Sequence, residues 1–469
     1  MNQDLLKINT LGGLRAAGVE ILPVRLEMRR NLVERLRAGR AILPGIIGYD
    51  SSVLPEIENG VLAGHHMIFL GERGQAKSRI IRLLAGLLDE RVPAVKGCEI
   101  NDSPYAPICG ACRRRLAERG EELEVEWIAR ERRYAEKLAT PDVSVADLIG
   151  EIDPIKVAEG RYLADEETVH YGLIPRTNRG IFAINELPDL TEKVQVGLFN
   201  LMEEKDVQIK GYKIRLPLDL VFVASANPED YTSRGRIITP LKDRFDVQIR
   251  THYPRTIEDE IAIMDQECSY PSSPGMALRV PPFLREIVAQ ITFEARASNE
   301  INQSSGVSVR VSINNLESVL SNAEKRAVRL GENEIVPRPS DLHSLYASTA
   351  GKIELEYVGE DKKEEDLIER LVNRAVLKVF DRYFKVDELR RVVGYFEQGW
   401  GVEVSDSAPA SEYLDALREV PGLREAVEQL GSFETPGLMA AASELIFEGL
   451  HLHQKLNKQR AGGRFAYHA

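Results

Sequence analysis

The segments HHMIFL (65–70), GERGQAKS (71–78) and RIIRLLAGLL (79–88) follow one another without a break. A short apolar run, a glycine-containing loop and a run of helical period make a strand, a loop and a helix. A loop in that setting offers flexible backbone, amides exposed at a helix N-terminus, a lysine for phosphate charge and a hydroxyl for a magnesium ion. Gly71, Glu72, Arg73, Gly74, Gln75, Ala76, Lys77 and Ser78 are therefore the candidate ATP-phosphate cradle, with Ser78 the candidate Mg²⁺ ligand. Ala76 stands where glycine is commoner, which is acceptable if that residue is already helical, since only a positive φ demands glycine.

Working outward, three further apolar runs rich in branched residues appear: RVPAVKG (91–97), GIFAINEL (180–187) and LDLVFVASAN (218–227). Strands alternating with helical segments predict an α/β fold, a parallel sheet flanked by helices. Residues 19–40 read as an amphipathic helix with Leu26, Leu32 and Leu36 on one side and a solvated arginine face. The interval 98–179 is too long for a plain loop and contains a charged, helix-like stretch from Arg113 to Lys137. Beyond THYPR (251–255) the pattern turns helical, clearest in PPFLREIVAQITFEARA and SVRVSINNLESVLSNAEKRAVRL. The expected organisation is an N-terminal helical segment (1–40), an α/β nucleotide-binding domain (41–253) with an insertion at about 98–179, a helical lid (254–350), then a charged linker and C-terminal helical region (351–469) with a loose basic tail.

Composition narrows the function. Apolar residues at 43% and charged residues at 29% suit a folded globular chain, and a net charge of -12 argues against a broad grip on nucleic acid. No apolar stretch reaches the length of a bilayer span, and MNQDLLKINT lacks a signal pattern, so a cytoplasmic protein with no membrane span is expected.

In GIFAINELPDL the apolar strand ends at Asn185-Glu186, where nucleotide hydrolases of this architecture carry an acidic pair. Glu186 can polarise an attacking water. Asn185 brings no charge, but its carbonyl can accept from a magnesium-bound water. Asn227, at the end of LVFVASAN, suits orientation of a water between a carboxylate and a phosphate; Arg244 in PLKDRF and Arg310 in SSGVSVRVSINNLE are candidate stabilisers of transition-state charge.

These residues resemble an AAA+ ATPase of the clade holding the magnesium chelatase motor subunit and the MoxR-type ATPases. The likeness rests on ILPGIIG, GERGQAKS, DLIGEIDP followed by HYGLIPRTNRGIFAINE, ASANPED and PLKDRFD, spanning about residues 41–320. By that resemblance Lys77 and Ser78 belong to Walker A, Asn185 and Glu186 to Walker B, Asn227 to sensor 1, Arg244 to the arginine finger acting in trans and Arg310 to sensor 2. It also implies P-loop AAA+ architecture, ATP and Mg²⁺ as cofactors, and a homo-oligomeric ring, usually a hexamer. DLIGEIDP to NRG would hold the clade's inserted hairpin. A von Willebrand A-type partner is implied as a separate protein, since no Asp-x-Ser-x-Ser occurs in this chain. Aspartate is the family residue at Asn185, so Asn185→Asp is expected to leave hydrolysis equal or faster.

The resulting expectation is an ATP-hydrolysing motor that remodels or activates a partner, in metal chelation or enzyme maturation. The alternatives are a nucleotide-gated scaffold, motivated by Asn185, and a DNA-acting AAA+ protein, against which the acidic balance stands. Separately, Cys98, Cys109 and Cys112 have a C-x10-C-x2-C spacing that suits structural Zn²⁺, with His170, Asp102 or another residue brought in by folding as fourth ligand; unbound thiols and a redox pair are the competing readings.

Overall fold

The computed structural model describes residues 4–152, 168–204, 206–209, 212–227, 235–303, 305–355, 364–405, 407–461 and 464–468. Parts of DLIGEIDP and ASANPED, and most of the charged linker, lie outside them. Two units divide the chain, Met1–His252 and Tyr253–Ala469.

The first unit is built on strands β1 (Met67–Leu70), β2 (Arg91–Val95), β3 (Val125–Ala129), β4 (Tyr134–Leu138), β5 (Gly150–Ile152), β6 (Val169–Tyr171), β7 (Gly180–Asn185), β8 (Asp206–Ile209), β9 (Tyr212–Arg215), β10 (Leu220–Ala226) and β11 (Val247–Arg250). Five of them form one parallel sheet in the order β11-β1-β10-β7-β4. Strands buried on both faces read as continuous apolar runs, because alternate residues enter different cores. Thus Phe182, Ile184, Phe222 and Ala224 face one core. Ile181, Ala183, Val221 and Val223 face the other, which also holds Val24, Met28, Ile57 and Ile80 from the helices Val24–Arg37, Val53–Ala63 and Lys77–Leu84. The register sets Leu70 beside Ala226 and Asn185 beside Leu138, so the ends of β1, β4, β7 and β10 lie along one edge. Parallel α/β sheets bind ligands at that carboxyl edge.

Several expectations change. The strand at 91–97 forms, but β2 pairs antiparallel with β3 and stands outside the main sheet. Its place beside β7 is taken by β4, which arises within the interval 98–179. The stretch from Arg113 to Lys137 is α-helical only to Arg119; beyond it come 3-10 turns at Gly120–Glu122 and Arg130–Arg133 and the strands β3 and β4, where β-branched and aromatic residues such as Val125, Trp127, Ile128 and Tyr134 fit a pleated surface better than a helix. In the helix Val24–Arg37 the buried positions are Val24, Glu27, Met28 and Leu32, whereas Leu26 and Leu36 are exposed. Its arginines are not all solvated: Arg30 pairs with Asp89 at 2.6 Å. Buried Glu27 receives two bonds from buried Arg133, tying this helix to the start of β4.

In the second unit the helices Pro282–Ala297 and Val309–Leu330 appear as expected. They share a core with Glu364–Tyr383 and Pro436–Leu452, through Phe283, Ile287, Leu371, Phe380, Leu445 and Phe447. The tail expected to be loose pairs instead: Asn457–Ala461 and Arg464–His468 form an antiparallel hairpin, and the latter also pairs with Val402–Val404. Tyr467 anchors it, buried against the same core. No helix among the described residues is long and apolar enough to cross a membrane.

Candidate nucleotide site

The loop after β1 is shaped by its own side chains. A Cβ on Gly71 would lie 2.0 Å from Thr251 Oγ1 and 2.2 Å from Gln75 Oε1, so only glycine fits there. Gln75 Oε1 accepts from Glu72 N at 3.1 Å and Thr251 Oγ1 at 2.7 Å, and buried Tyr49 donates to the carbonyls of Gln75 and His252. Burial pushes the Tyr49 phenol up to about 12, so it remains a donor. Ala76 is not helical, so the condition that would leave alanine unstrained there is not met. It takes the left-handed conformation, φ 58°, and caps the helix Lys77–Leu84, which explains why glycine is commoner there.

Lys77 is buried and donates to Gly71 O, Glu72 O and, at 2.6 Å, Asn227 Oδ1. Asn227 Nδ2 in turn donates to Glu186 Oε2 at 2.9 Å. A lysine at the start of the helix after the loop, and an amide and a carboxylate just past the ends of β10 and β7, thus form one hydrogen-bonded chain. Glu186 itself has φ 54°, a strained conformation for a residue with a side chain, and such strain concentrates at functional sites. Its N–H donates to Ser225 Oγ.

Asn185 is 7% exposed, and its carbonyl accepts from Ser78 Oγ at 3.3 Å and Ser225 Oγ at 3.1 Å. Its amide donates at 2.5 Å to Glu136 on the adjacent β4. Burial opposes the charge of Glu136, yet hydrogen bonds from Arg82, Tyr134 and Asn185 and the Arg82 charge hold its carboxyl below the ordinary range. The acid missing at position 185 therefore has a neighbour one strand away. Sequence reading missed Glu136, Ser225, Thr251 and Tyr49. Ser225 lies within the quoted ASANPED, but Glu136, Thr251 and Tyr49 belong to no site motif, although the strand-like Tyr134–Leu138 segment could have drawn notice to Glu136.

Arg244 approaches Glu203 at 2.7 Å and lies over the Phe199 ring, 5.7 Å from its centroid. Arg310 is exposed at the start of the helix Val309–Leu330, in the second unit. A cleft of about 310 Å³ opens beside the loop, lined by Leu70, Glu72, Gln75, Lys242 and Arg250 among others. The three cysteines do come together, and Asp102, not His170, is the fourth group beside them. His170 on β6 is exposed and lies 3.4 Å from Arg176.

No protein-family model matches the chain. It is 29% identical over 233 residues to the magnesium-chelatase 38 kDa subunit of Cereibacter sphaeroides, covering 47% of this chain and 60% of that protein. With the subunit of the same name from Rhodobacter capsulatus it shares 28% over 250 residues, 50% of this chain and 63% of the relative. The chain thus spans less than two thirds of the length of these relatives. A chain from a cryo-EM complex between subunits BchI and BchD of magnesium chelatase aligns with 70% of this chain and 97% of its own at 19% identity, a loose superposition with a TM-score of 0.34. The loop and the strand-end residues thus lie in a chain whose sequence is similar to magnesium-chelatase subunits over about half its length.

Proposed function

We propose that this protein binds Mg²⁺-ATP at Gly71–Ser78 and hydrolyses it, as one subunit of a homo-oligomeric ring that does conformational work on a separate partner protein. The observation that carries the reading is the chain from Lys77 through Asn227 to Glu186. The donor set suits the cofactor: an ammonium and loop amides for phosphate, and the hard oxygens of Ser78 and Asn185 for magnesium or its waters. Bound Mg²⁺-ATP would supply the phosphoryl group and a polarising cation.

The chain's own residues have defined tasks in this reading. Glu186 takes the proton of a water, and Asn227, bonded to it, holds the carboxylate in place. Lys77, already directed to the loop carbonyls, places positive charge inside the cradle. Ser78 and Ser225 fix the Asn185 carbonyl toward the loop. Arg244, on the surface beside Glu203, acts on a neighbouring subunit, and Arg310 acts as the second sensor. The relatives are named as subunits of a chelatase, which supports work within a larger assembly, with metal chelation or enzyme maturation as the outcome and a von Willebrand A-type protein as partner.

Steady-state ATP hydrolysis across a protein concentration series tests this. Turnover should rise with assembly and vanish in Glu186→Gln and in Arg244→Ala. Mixing those two inactive variants should restore a fraction of it, because some interfaces would then pair an intact base with an intact finger. Tight nucleotide binding without turnover, unchanged by either substitution, would instead make the protein a nucleotide-gated scaffold.

A further inference from the structure

Three cysteines and one aspartate converge away from the nucleotide site. Cys98 follows β2, Cys109 caps the helix Gly110–Arg119, and Cys112 lies in its first turn. With Asp102 they offer four ligand atoms within 4.8 Å of one another, and all four residues are buried. Asp102 is 0% exposed. One of its oxygens accepts from Cys109 N at 3.0 Å, while the other, Oδ1, is buried with no hydrogen-bond partner. A buried carboxylate oxygen left unpaired costs free energy unless a cation or donor meets it. No disulfide joins the cysteines.

We propose that Cys98, Asp102, Cys109 and Cys112 bind one zinc ion in a closed tetrahedral site of three sulfurs and one oxygen. Zinc–sulfur bonds of about 2.3 Å put ligand atoms roughly 3.8 Å apart in a tetrahedron, so the four groups need close by at most about 1 Å. Backbone amides already support the ligands: Asp102 N donates to Cys98 Sγ at 3.4 Å and Cys112 N to Cys109 Sγ at 3.3 Å. Such outer bonds stabilise thiolates and orient them toward a metal. With four protein ligands and no open position, the site is structural and not catalytic.

Its position indicates what it fastens. Between Cys98 and Asp102, Ile100 O accepts from Asn178 Nδ2 at 3.1 Å, Asn101 O accepts from Arg179, and Asn101 Nδ2 donates to Arg176 O at 2.7 Å. These bonds brace residues 176–179, which lead directly into β7 and so to Asn185 and Glu186. The zinc staples that brace to the helix Gly110–Arg119.

The test is metal analysis of the full chain purified without chelator, with no readout of hydrolysis. About one zinc per chain is expected, lost in Cys112→Ser and bound at least about tenfold more weakly in Asp102→Ala. Asp102→Cys should keep it, so a folding failure of the weaker variants would not mask the site. Replacement by Co²⁺ should give thiolate-to-cobalt charge transfer and the strong visible bands of tetrahedral coordination. Less than about a tenth of an equivalent of zinc, with no cobalt spectrum after metal addition, would overturn the proposal. Full zinc occupancy and affinity in Asp102→Ala would remove the aspartate from it.

Discussion

Asn185→Asp introduces the residue that the family resemblance implies at this position, yet the structure predicts that it destabilises this protein. In the parent, the Asn185 amide donates to Glu136 Oε1 at 2.5 Å. The substitution puts a second carboxylate at that distance and removes the donor. Two charges about 4 Å apart repel by roughly 4 kcal/mol at an effective dielectric near 20, and a hydrogen bond to a charged group is worth about 1.5–3 kcal/mol. Arg82, bonded to Glu136 at 2.7 and 2.9 Å, offsets part of this, but its side chain is 64% exposed and its field is screened. A net loss of about 2 kcal/mol is expected at about pH 7.5. Unfolding of the first unit can be followed by Trp127 in a Trp400→Phe background, because those are the chain's two tryptophans and Trp400 belongs to the second unit. Glu136→Gln in the same molecule should recover at least about 1 kcal/mol, since a glutamine can donate to the introduced aspartate. Acid gives a second signature. In the parent, the Glu136 carboxyl is held below the ordinary range, so its contribution is present above the unfolded pKa and lost as pH falls through the folded one. In Asn185→Asp the two carboxylates share a proton and one folded pKa rises, so the deficit shrinks as pH falls through that raised value. A variant as stable as the parent at about pH 7.5, with no coupling to Glu136→Gln, would refute the reasoning.

Ala76→Gly relieves the left-handed strain of roughly 1 kcal/mol against an unfolded-state cost of about 0.5–1 kcal/mol, so stability should stay level or rise slightly. Calorimetry showing a clear loss would mean that the loop does not hold this conformation. In the second unit, a Cβ on Gly449 would meet Phe380 Cδ2 at 2.0 Å. Gly449→Ala should therefore cost about 1–3 kcal/mol by overpacking, read as a lower unfolding midpoint from Trp400 fluorescence in a Trp127→Phe background.

The phosphate loop, the strand ends at Asn185-Glu186 and Asn227, and the cysteine pair were legible because each is a short run whose meaning is local. A strand, a turn and a helix start follow from neighbouring residues, and the backbone carries the geometry. What stayed hidden depends on partners distant in sequence. β4 was read as part of a charged helix, because its alternation is short and its place in the sheet comes only from pairing with β7. Glu136 reaches Asn185 across 49 positions, and Thr251 reaches Gln75 across 176. Ala76 looked tolerable because residue type alone does not reveal a positive φ. His170 and Asp102 were equal candidates beside the cysteines until the chain was folded, and only then did one carboxylate oxygen prove to be buried there with no partner. By itself the sequence determined the strand, loop and helix of residues 65–88 and the strand ends at Asn185-Glu186 and Asn227. Tertiary structure decided which charges meet, because electrostatic and metal-binding geometry depends on distances of a few ångströms between residues that the chain order leaves far apart.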